Sequence, residues 1–323
     1  MNIFSSEKLE QFLPKVKSIL EENLFPLEKH YLQQPFSKIE PELAKVRSLV
    51  KKRGLWNPHL SEQHGGLGFN LVEFGQISEL LGQSPYGHYC FNCNAPDIGN
   101  QELMLGYASD HIKNKFLEPL LFGSIRSCFA MTEPEFAGSN PVNMGTTAVK
   151  NGDHYVINGH KWFTTAADGA SFAIVMANTD LNAENKYERA SMIVVPTDTE
   201  GYHLKRNISI MGEPNDTYFS HAEIAFQNCK VPATNLIGNE GDGFRLAQQR
   251  LGPGRIHHCM RWIGICERAF DMMCARAAHR DLGEGKILGN QQTIQNWIAE
   301  SRAEINASRY MVLHTAHKID EVG

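Results

Sequence analysis

Three short stretches hold most of the side chains that could do chemistry. Residues 128–140 read CFAMTEPEFAGSN, where two acids, a proline, aromatics and a glycine crowd into one segment. A connection that only reverses the chain needs simpler turn chemistry than this, so the segment is expected to hold something. The second stretch, Cys90-Phe-Asn-Cys93 with His88 close by, has the spacing of half a zinc site. No second CxxC and no HxxxH follows at zinc-finger spacing. The seven cysteines are an odd count without a dense framework, and they read as reduced thiols used as small apolar core groups. No metal site is expected. The third stretch, His257-His258, suggests metal or acid–base work. Neighbours on a helix point to different faces, however, so the pair cannot easily serve one site, and a structural role is the expectation. The chain has no GxGxxG and no Walker motif, which argues against a dinucleotide or nucleoside triphosphate site of those types.

The elements that must position these residues fall into three groups. From Lys8 to Leu24 the apolar residues Leu9, Phe12, Leu13, Val16, Ile19, Leu20 and Leu24 mark one helix face. Leu43, Val46, Leu49 and Val50 mark another, stopped at Gly54 with Pro58 beyond. Residues 71–82 and 101–122 also read as helices, separated by the glycine- and proline-rich stretch 85–99. From about Phe129 to Pro232 the period changes. Asn151-Gly152 and Asn158-Gly159 bracket HYVI between β-prone runs, a hairpin signal because both residue types tolerate positive φ. FAIVMA (172–177), MIVVP (192–196) and AEIAF (222–226) add strands. After Gly243 the helical period returns, with Ile256, Met260, Ile263, Phe270 and Met273 on one face ending near Arg280. Ile298, Ile305, Val312 and Ile319 recur every seventh residue in a last helix. The order segregates helices, strands and helices, which disfavours a doubly wound parallel sheet. The expected fold is α+β and multi-domain: an N-terminal helical domain (1–127), a middle antiparallel β barrel or sandwich (128–240) and a C-terminal helical bundle (241–323).

With those elements in place, a family resemblance emerges. Phe129-Ala-Met-Thr-Glu-Pro-Glu-Phe-Ala-Gly-Ser-Asn140 and Asn158-Gly-His-Lys-Trp-Phe-Thr-Thr165 resemble the two flavin-binding signatures of acyl-CoA dehydrogenases. Glu62-Gln-His-Gly-Gly-Leu-Gly68 and Ala95-Pro-Asp-Ile-Gly-Asn100 fit as well. Leu251-Gly-Pro-Gly-Arg-Ile-His-His-Cys-Met-Arg261 resembles the branch of the family's members ten and eleven. The resemblance runs from about residue 35 to 320 in the expected order, and it agrees with the helix–strand–helix layout read independently.

The resemblance implies FAD at the seam between the β domain and the last helical domain. It implies formation of a trans-2,3 double bond in an acyl-CoA thioester, the reaction type of fatty-acid β-oxidation. A carboxylate takes the α-proton, the β-hydrogen leaves as hydride to flavin N5, and electrons pass on to an electron-transfer flavoprotein. Phe129, Met131 and Thr132 would line the flavin ring, with Thr132 at the N1/O2 edge. Gly138 and Ser139 would approach the pyrophosphate with uncharged donors. Trp162 would cover a ring face and Thr164 would bond near N5. Arg280 and Gln291 match positions that reach the flavin nucleotide of a neighbouring subunit, which implies a homo-oligomer. Ser139 and Arg255 would meet the acyl-CoA.

Two departures from the family pattern stand out. The aromatic-glycine turn usual after Arg280 is replaced by Asp281-Leu-Gly-Glu-Gly285. The family's catalytic carboxylate is expected beyond Gly323, in a C-terminal portion the sequence lacks. A minority of members carry it just before the arginine matched by Arg255, and here that position is Gly254. Glu62, Glu79 and Asp97 are carboxylates whose spacing does not recommend them as the base. An acyl-CoA oxidase and a non-catalytic binding or assembly subunit remain as alternatives. Net charge is −5, which argues against a general nucleic-acid binder because phosphate contacts need a basic surface. The N-terminal stretch lacks a basic start and a hydrophobic block, and no apolar run is long enough to span a bilayer. A cytoplasmic location is therefore the expectation.

Overall fold

The structure, a computed structural model, describes residues 4–30, 33–212 and 215–322. Gly323, beyond which the family's base is expected, lies outside the described residues, as do the first three residues of the N-terminal stretch. Helices α1 (Glu7–Ile19), α2 (Phe36–Lys52), α3 (Leu71–Gly82), α4 (Gly87–Cys90), α5 (Asp97–Tyr107), α6 (Asp110–Ile112) and α7 (Glu118–Phe122) come first. The strands follow: β1 (Ser127–Ala130), β2 (Thr147–Asn151), β3 (His154–Thr165), β4 (Phe172–Asn178), β5 (Ala190–Pro196), β6 (Tyr202–Asn207), β7 (His221–Pro232) and β8 (Leu236–Ile237). Helices α8 (Gly243–His279) and α9 (Gln292–Val322) close the chain. None of the described helices is long and apolar enough to cross a membrane. The chain divides into two compact units, one of Met1–His30, Glu42–Cys93 and Pro253–Gly323, the other of Tyr31–Pro41 and Asn94–Gly252.

The first unit is helical. Ser6 caps α1 by accepting the Leu9 N–H, and Leu9, Phe12, Val16 and Ile19 are its buried face. The run read to Leu24 as one helix changes at Leu20, where a π-turn (Leu20–Leu24) takes over. Asn70 and Glu73 form a reciprocal capping box at the start of α3. The Asp320 carboxylate of α9 accepts the next two N–H groups, from Leu71 and Val72, at 3.0 and 2.9 Å. Helices α3 and α8 meet backbone to backbone: a Cβ on Gly264 would lie 1.9 Å from the Glu79 carbonyl oxygen. Val72, Ile256, Met260, Ile263, Leu313 and Ala316 fill the core between α3, α8 and α9. The heptad seam of α9 is thus offset. Ile305 and Val312 flank that core, while Ile319 stays 39% exposed. Arg309 grips both Glu79 oxygens (2.9 and 3.0 Å) and also pairs with Glu267, which in turn takes Arg302 at 2.7 and 2.9 Å.

The second unit is built on an eight-stranded sheet in the order β6-β7-β3-β2-β4-β5-β8, with β1 beside β4. Every residue of β4 is buried because both of its faces are covered. Phe172, Ile174 and Met176 pack under α5 and the segment around Phe116 and Leu120. Ala173, Val175 and Ala177 face Tyr155, Ile157, Ile224 and Phe226 from β3 and β7. The expected antiparallel sheet is therefore mixed: β1 runs parallel to β4, and β2 touches β4 in parallel through Thr147 and Asn178.

Two local expectations differ from what is found. The 101–122 run is not one helix, because Ser109 caps a new start at α6 by accepting the Ile112 N–H, and a π-turn (Lys113–Leu117) precedes α7. Asn151-Gly152 does turn β2 into β3, pairing Asn151 with His154, but Asn158-Gly159 is no turn. There β3 runs on through a bulge, the Asn158 side chain accepts the Asn228 N–H at 2.8 Å, and Gly159 presses against Thr146, where a Cβ would lie 2.3 Å from Oγ1.

Candidate functional site

The two motif stretches of the β unit, 129–140 and 158–165, come together at the end of β1. That strand is set by α5: Asp97 accepts the Ser127 N–H at 2.8 Å and its hydroxyl at 2.6 Å, and Asn94 donates to the other Asp97 oxygen at 2.9 Å. Asn100 donates to Ser127 Oγ and to the Cys128 carbonyl. Asp97 is buried, which raises its carboxyl above the usual range, and these bonds account for both oxygens. It is a strut for β1 and does not fit the role of a base. Arg250 lies over the Phe129 ring at 4.2 Å, with Nε on Asn100 (3.0 Å) and Nη2 on the Pro96 carbonyl (3.2 Å). Burial lowers its guanidinium to about 10 and raises neighbouring Glu102 to about 7, with Arg250 opposing the latter.

After Ala130 the chain leaves the sheet and is tied to β3. Thr132 Oγ1 donates to the Trp162 carbonyl at 2.9 Å, and the Trp162 N–H donates to the Thr132 carbonyl at 3.0 Å. Trp162 is free to turn away from β7 because β3 slips register between Lys161 and Thr164, with Phe163 at φ +47°. A bulge of this kind re-aims side chains. It leaves Trp162 half-buried with its ring 4.8 Å from that of Phe163. Thr164 returns to the ladder 1% exposed, and its hydroxyl makes no hydrogen bond to any described residue. Met131 and Phe129 are half-buried against the core. Gly138 and Ser139 sit exposed in the loop that follows Glu133, where a Cβ on Gly138 would meet Thr132 Cγ2 at 3.0 Å.

Beneath this surface lies a fully buried ion pair that sequence reasoning missed. Lys161 Nζ donates to Glu133 Oε1 at 2.7 Å and to the Met131 carbonyl at 2.8 Å. Glu133 also accepts the N–H groups of Gly145 (2.6 Å) and Thr146 (3.0 Å). Burial lowers Lys161 to about 8 despite its partner. Glu133 is raised by burial, but the lysine and the three hydrogen bonds win and hold it below the usual range. The signal was present in the sequence, since a lysine and a glutamate inside two β-rich motifs must either face solvent or pair.

The remaining residues singled out from the sequence lie in the helical unit. Arg255 is exposed on α8. Arg280 and Gln291 are exposed at the two ends of a short loop closed by Leu288 N–H to the Arg280 carbonyl (2.9 Å) and Gln291 N–H to the Leu288 carbonyl (3.1 Å). Gly254 is in α8, and a Cβ added there would have nothing within 4 Å. Glu62 is exposed and paired with Lys8, and Glu79 is committed to Arg309, so neither is poised as a base. His257 is buried edge-on against Phe74 at 4.7 Å, and burial lowers it to about 3. His258 is exposed and accepts the Trp262 indole N–H at 2.7 Å, so the two histidines do serve different surroundings. Cys90 and Cys93 are buried, which raises both thiols, Cys90 to about 12, and His88 bonds Ser78 at 2.9 Å. Among the described residues no group of three or more His, Cys, Asp or Glu is placed to hold a metal ion.

Comparison with known proteins agrees with this architecture. The N-terminal, middle and C-terminal domain models of acyl-CoA dehydrogenase match residues 6–124, 128–229 and 241–323. Acyl-CoA dehydrogenase family member 11 of Gallus gallus is 39% identical over 330 residues, covering 99% of this chain and 42% of its own length. The chain therefore spans less than half the length of that relative. The Mycobacterium tuberculosis protein named probable acyl-CoA dehydrogenase FadE2 is 41% identical over 286 residues, covering 88% of this chain and 69% of its own. A solved acyl-CoA dehydrogenase-like structure from Mycobacterium abscessus superposes with a TM-score of 0.92 at 37% identity, covering 98% of this chain and 81% of its own. On these matches, and on a fold of helices, sheet and helices in the same order, the chain belongs to the acyl-CoA dehydrogenase family.

Proposed function

We propose that this chain binds FAD on its β unit and takes part in the α,β-dehydrogenation of an acyl-CoA thioester to the trans-2,3-enoyl product. The observation that carries the reading is the joining of the two sequence-distant motifs into one surface. Thr132 and Trp162 exchange two hydrogen bonds there, and the buried Thr164 hydroxyl is left without a partner among the described residues. An orphaned buried hydroxyl is a cost that a bound acceptor relieves, and the side-chain-free backbone of Gly138 beside Thr132 suits close approach of a diphosphate. These residues fit the cofactor.

FAD, when bound, supplies the ring that accepts the hydride. The residues of this chain bind and orient. Phe129, Met131 and Trp162 offer apolar surface to the ring, and Gly138-Ser139 meet the diphosphate. Thr132, whose hydroxyl donates to the Trp162 carbonyl, offers its backbone N–H to the polar edge of the ring, and Thr164 offers its hydroxyl. Ser139 of the β unit is also an acyl-CoA contact, and Arg255 is one on the helical unit. Arg280 and Gln291, at the two ends of one loop, serve the nucleotide of a second copy, which makes the working form a homo-oligomer. An electron-transfer flavoprotein is the expected acceptor of the electrons. Titrating FAD into the flavin-free chain, then supplying acyl-CoA and an artificial electron acceptor, tests the proposal. Saturable binding of both flavin and acyl-CoA supports it, and acceptor reduction needs in addition a carboxylate base that Glu62, Glu79 and Asp97 do not provide. Hydrogen peroxide in place of acceptor reduction identifies an oxidase, and absence of any flavin or acyl-CoA binding refutes it.

A further inference from the structure

The Lys161–Glu133 pair has no part in the binding roles above, yet it is the most demanding polar arrangement in the β unit, with side chains 0% and 2% exposed. Taking two charges out of water is expensive, and well-packed apolar side chains of similar volume often serve stability as well or better. What the pair holds is therefore more informative than how tightly it holds. One carboxylate joins both ends of the loop 134–144: the loop leaves at Glu133 and returns at Gly145 and Thr146, whose N–H groups the same carboxylate accepts at 2.6 and 3.0 Å. Lys161 anchors that knot to β3 and to the Met131 carbonyl (2.7 and 2.8 Å). The preceding residue, His160, points to the other side of the strand and holds the loop again from its rim, with Nδ1 on Glu135 at 2.9 Å and Nε2 on Glu223 at 3.0 Å. Two consecutive residues of β3 thus grip Glu133 and Glu135, two residues apart at the start of the loop that presents Gly138 and Ser139.

We propose that Lys161 and Glu133 are positioning residues for the cofactor, holding the 134–144 loop closed so that Gly138 and Ser139 stand ready for its diphosphate. The inference rests on the flavin reading given above. A loop already closed has its ordering cost met by the fold, whereas a released loop must be ordered by the ligand. If release lowers the closed fraction to roughly one in ten, apparent cofactor affinity falls about tenfold.

The test compares the wild-type chain with the double variant Lys161→Met/Glu133→Leu and the single variant Glu133→Gln. The double variant replaces the pair with apolar groups and keeps the core filled, and Glu133→Gln keeps the shape while setting an N–H against an N–H. Three quantities are measured: stability by denaturant unfolding, hydrogen exchange of the flavin-free chain across residues 134–146, and FAD affinity by fluorescence titration. Positioning predicts a double variant that loses some stability, because the Gly145 and Thr146 N–H groups and the Met131 carbonyl lose their partners, with faster exchange confined to 134–146 and about tenfold weaker FAD binding. Glu133→Gln, which stays testable even where the double variant fails to fold, should show the same local exchange and weaker binding. Wild-type exchange rates in the loop of either variant, or unchanged FAD affinity in a stably folded variant, overturn the inference. A wild-type chain that binds no FAD refutes the flavin reading itself and the positioning role with it, while the exchange data still report whether the loop was closed.

Discussion

Replacing Thr164 with valine separates a hydroxyl that serves the fold from one that serves a ligand. Thr164 is 1% exposed on β3 and its Oγ1 has no partner among the described residues. Leaving a buried hydroxyl unsatisfied costs about 1–3 kcal/mol. Valine keeps the β-branch, the χ1 preference and the strand propensity, so Thr164→Val removes that cost with little change of shape. The flavin-free protein should therefore gain about 1 kcal/mol, read as a raised urea midpoint at an unchanged slope. FAD binding should move the other way. Losing one net hydrogen bond of about 0.5–1.5 kcal/mol weakens affinity about 2- to 13-fold. A cofactor titration by flavin fluorescence on the same preparation gives the second number. Opposite signs on the two measurements are the signature. A variant that is destabilised by about 1 kcal/mol or more when flavin-free shows that the hydroxyl is already bonded within the fold, and an unchanged FAD affinity shows that it does not face the cofactor. Either result refutes the reasoning.

Other outcomes follow from the same structure. Gly264→Ala places a methyl 1.9 Å from the Glu79 carbonyl oxygen, so α3 and α8 must move apart and stability should drop by about 3 kcal/mol in denaturant unfolding; a loss below about 1 kcal/mol contradicts the packing. Gly254→Ala, also in α8 but with open space around its Cβ, should instead stabilise by about 0.5–1 kcal/mol through the unfolded chain. His257 is lowered to about 3 by burial, so the unfolded chain binds the extra proton and stability should be lost as pH falls from about 6.5 toward 3. The slope approaches about 1.4 kcal/mol per unit from this one group, and His257→Gln should flatten it. His160 behaves oppositely: burial lowers it, but the bonds to Glu135 and Glu223 outweigh that and raise it. Its hold on the loop is fully present below the ordinary histidine range and lost as pH rises through the raised value, so limited proteolysis within 134–144 should speed up with rising pH in wild type and not in His160→Asn.

How much of this was legible in the sequence depended on whether the signal was local. The stop at Gly54 and the Asn151-Gly152 hairpin are fixed by neighbouring residues and so can be read along the chain. Asn158-Gly159 carries the same local signal and forms no turn, since its backbone is claimed by Thr146 on one side and Asn228 on the other, contacts distant in sequence. The parallel pairing of β1 with β4 is invisible for a similar reason: register between strands separated by a long connection leaves no periodic trace. In the candidate site, Phe129, Met131, Thr132, Trp162 and Thr164 stand out as motif residues, and the structure gathers them at one end of β1 and the bulge of β3. Lys161 lies inside one of those motifs yet gains a role only from its partner across the fold, Glu133. Residue type alone admits Asp97 as a base, and its place under Ser127 shows it to be a strut.

The central claim is that this chain presents an acyl-CoA thioester to a flavin for dehydrogenation. It is tested most directly by loading the chain with FAD, mixing it anaerobically with a saturated acyl-CoA and following the oxidised-flavin absorbance. The account predicts a saturable shift of the oxidised-flavin band as acyl-CoA binds. Bleaching and matching trans-2,3-enoyl-CoA follow only where a carboxylate base is supplied, because Glu62, Glu79 and Asp97 are all committed elsewhere. A flavin band that responds to no acyl-CoA across a series of chain lengths contradicts it.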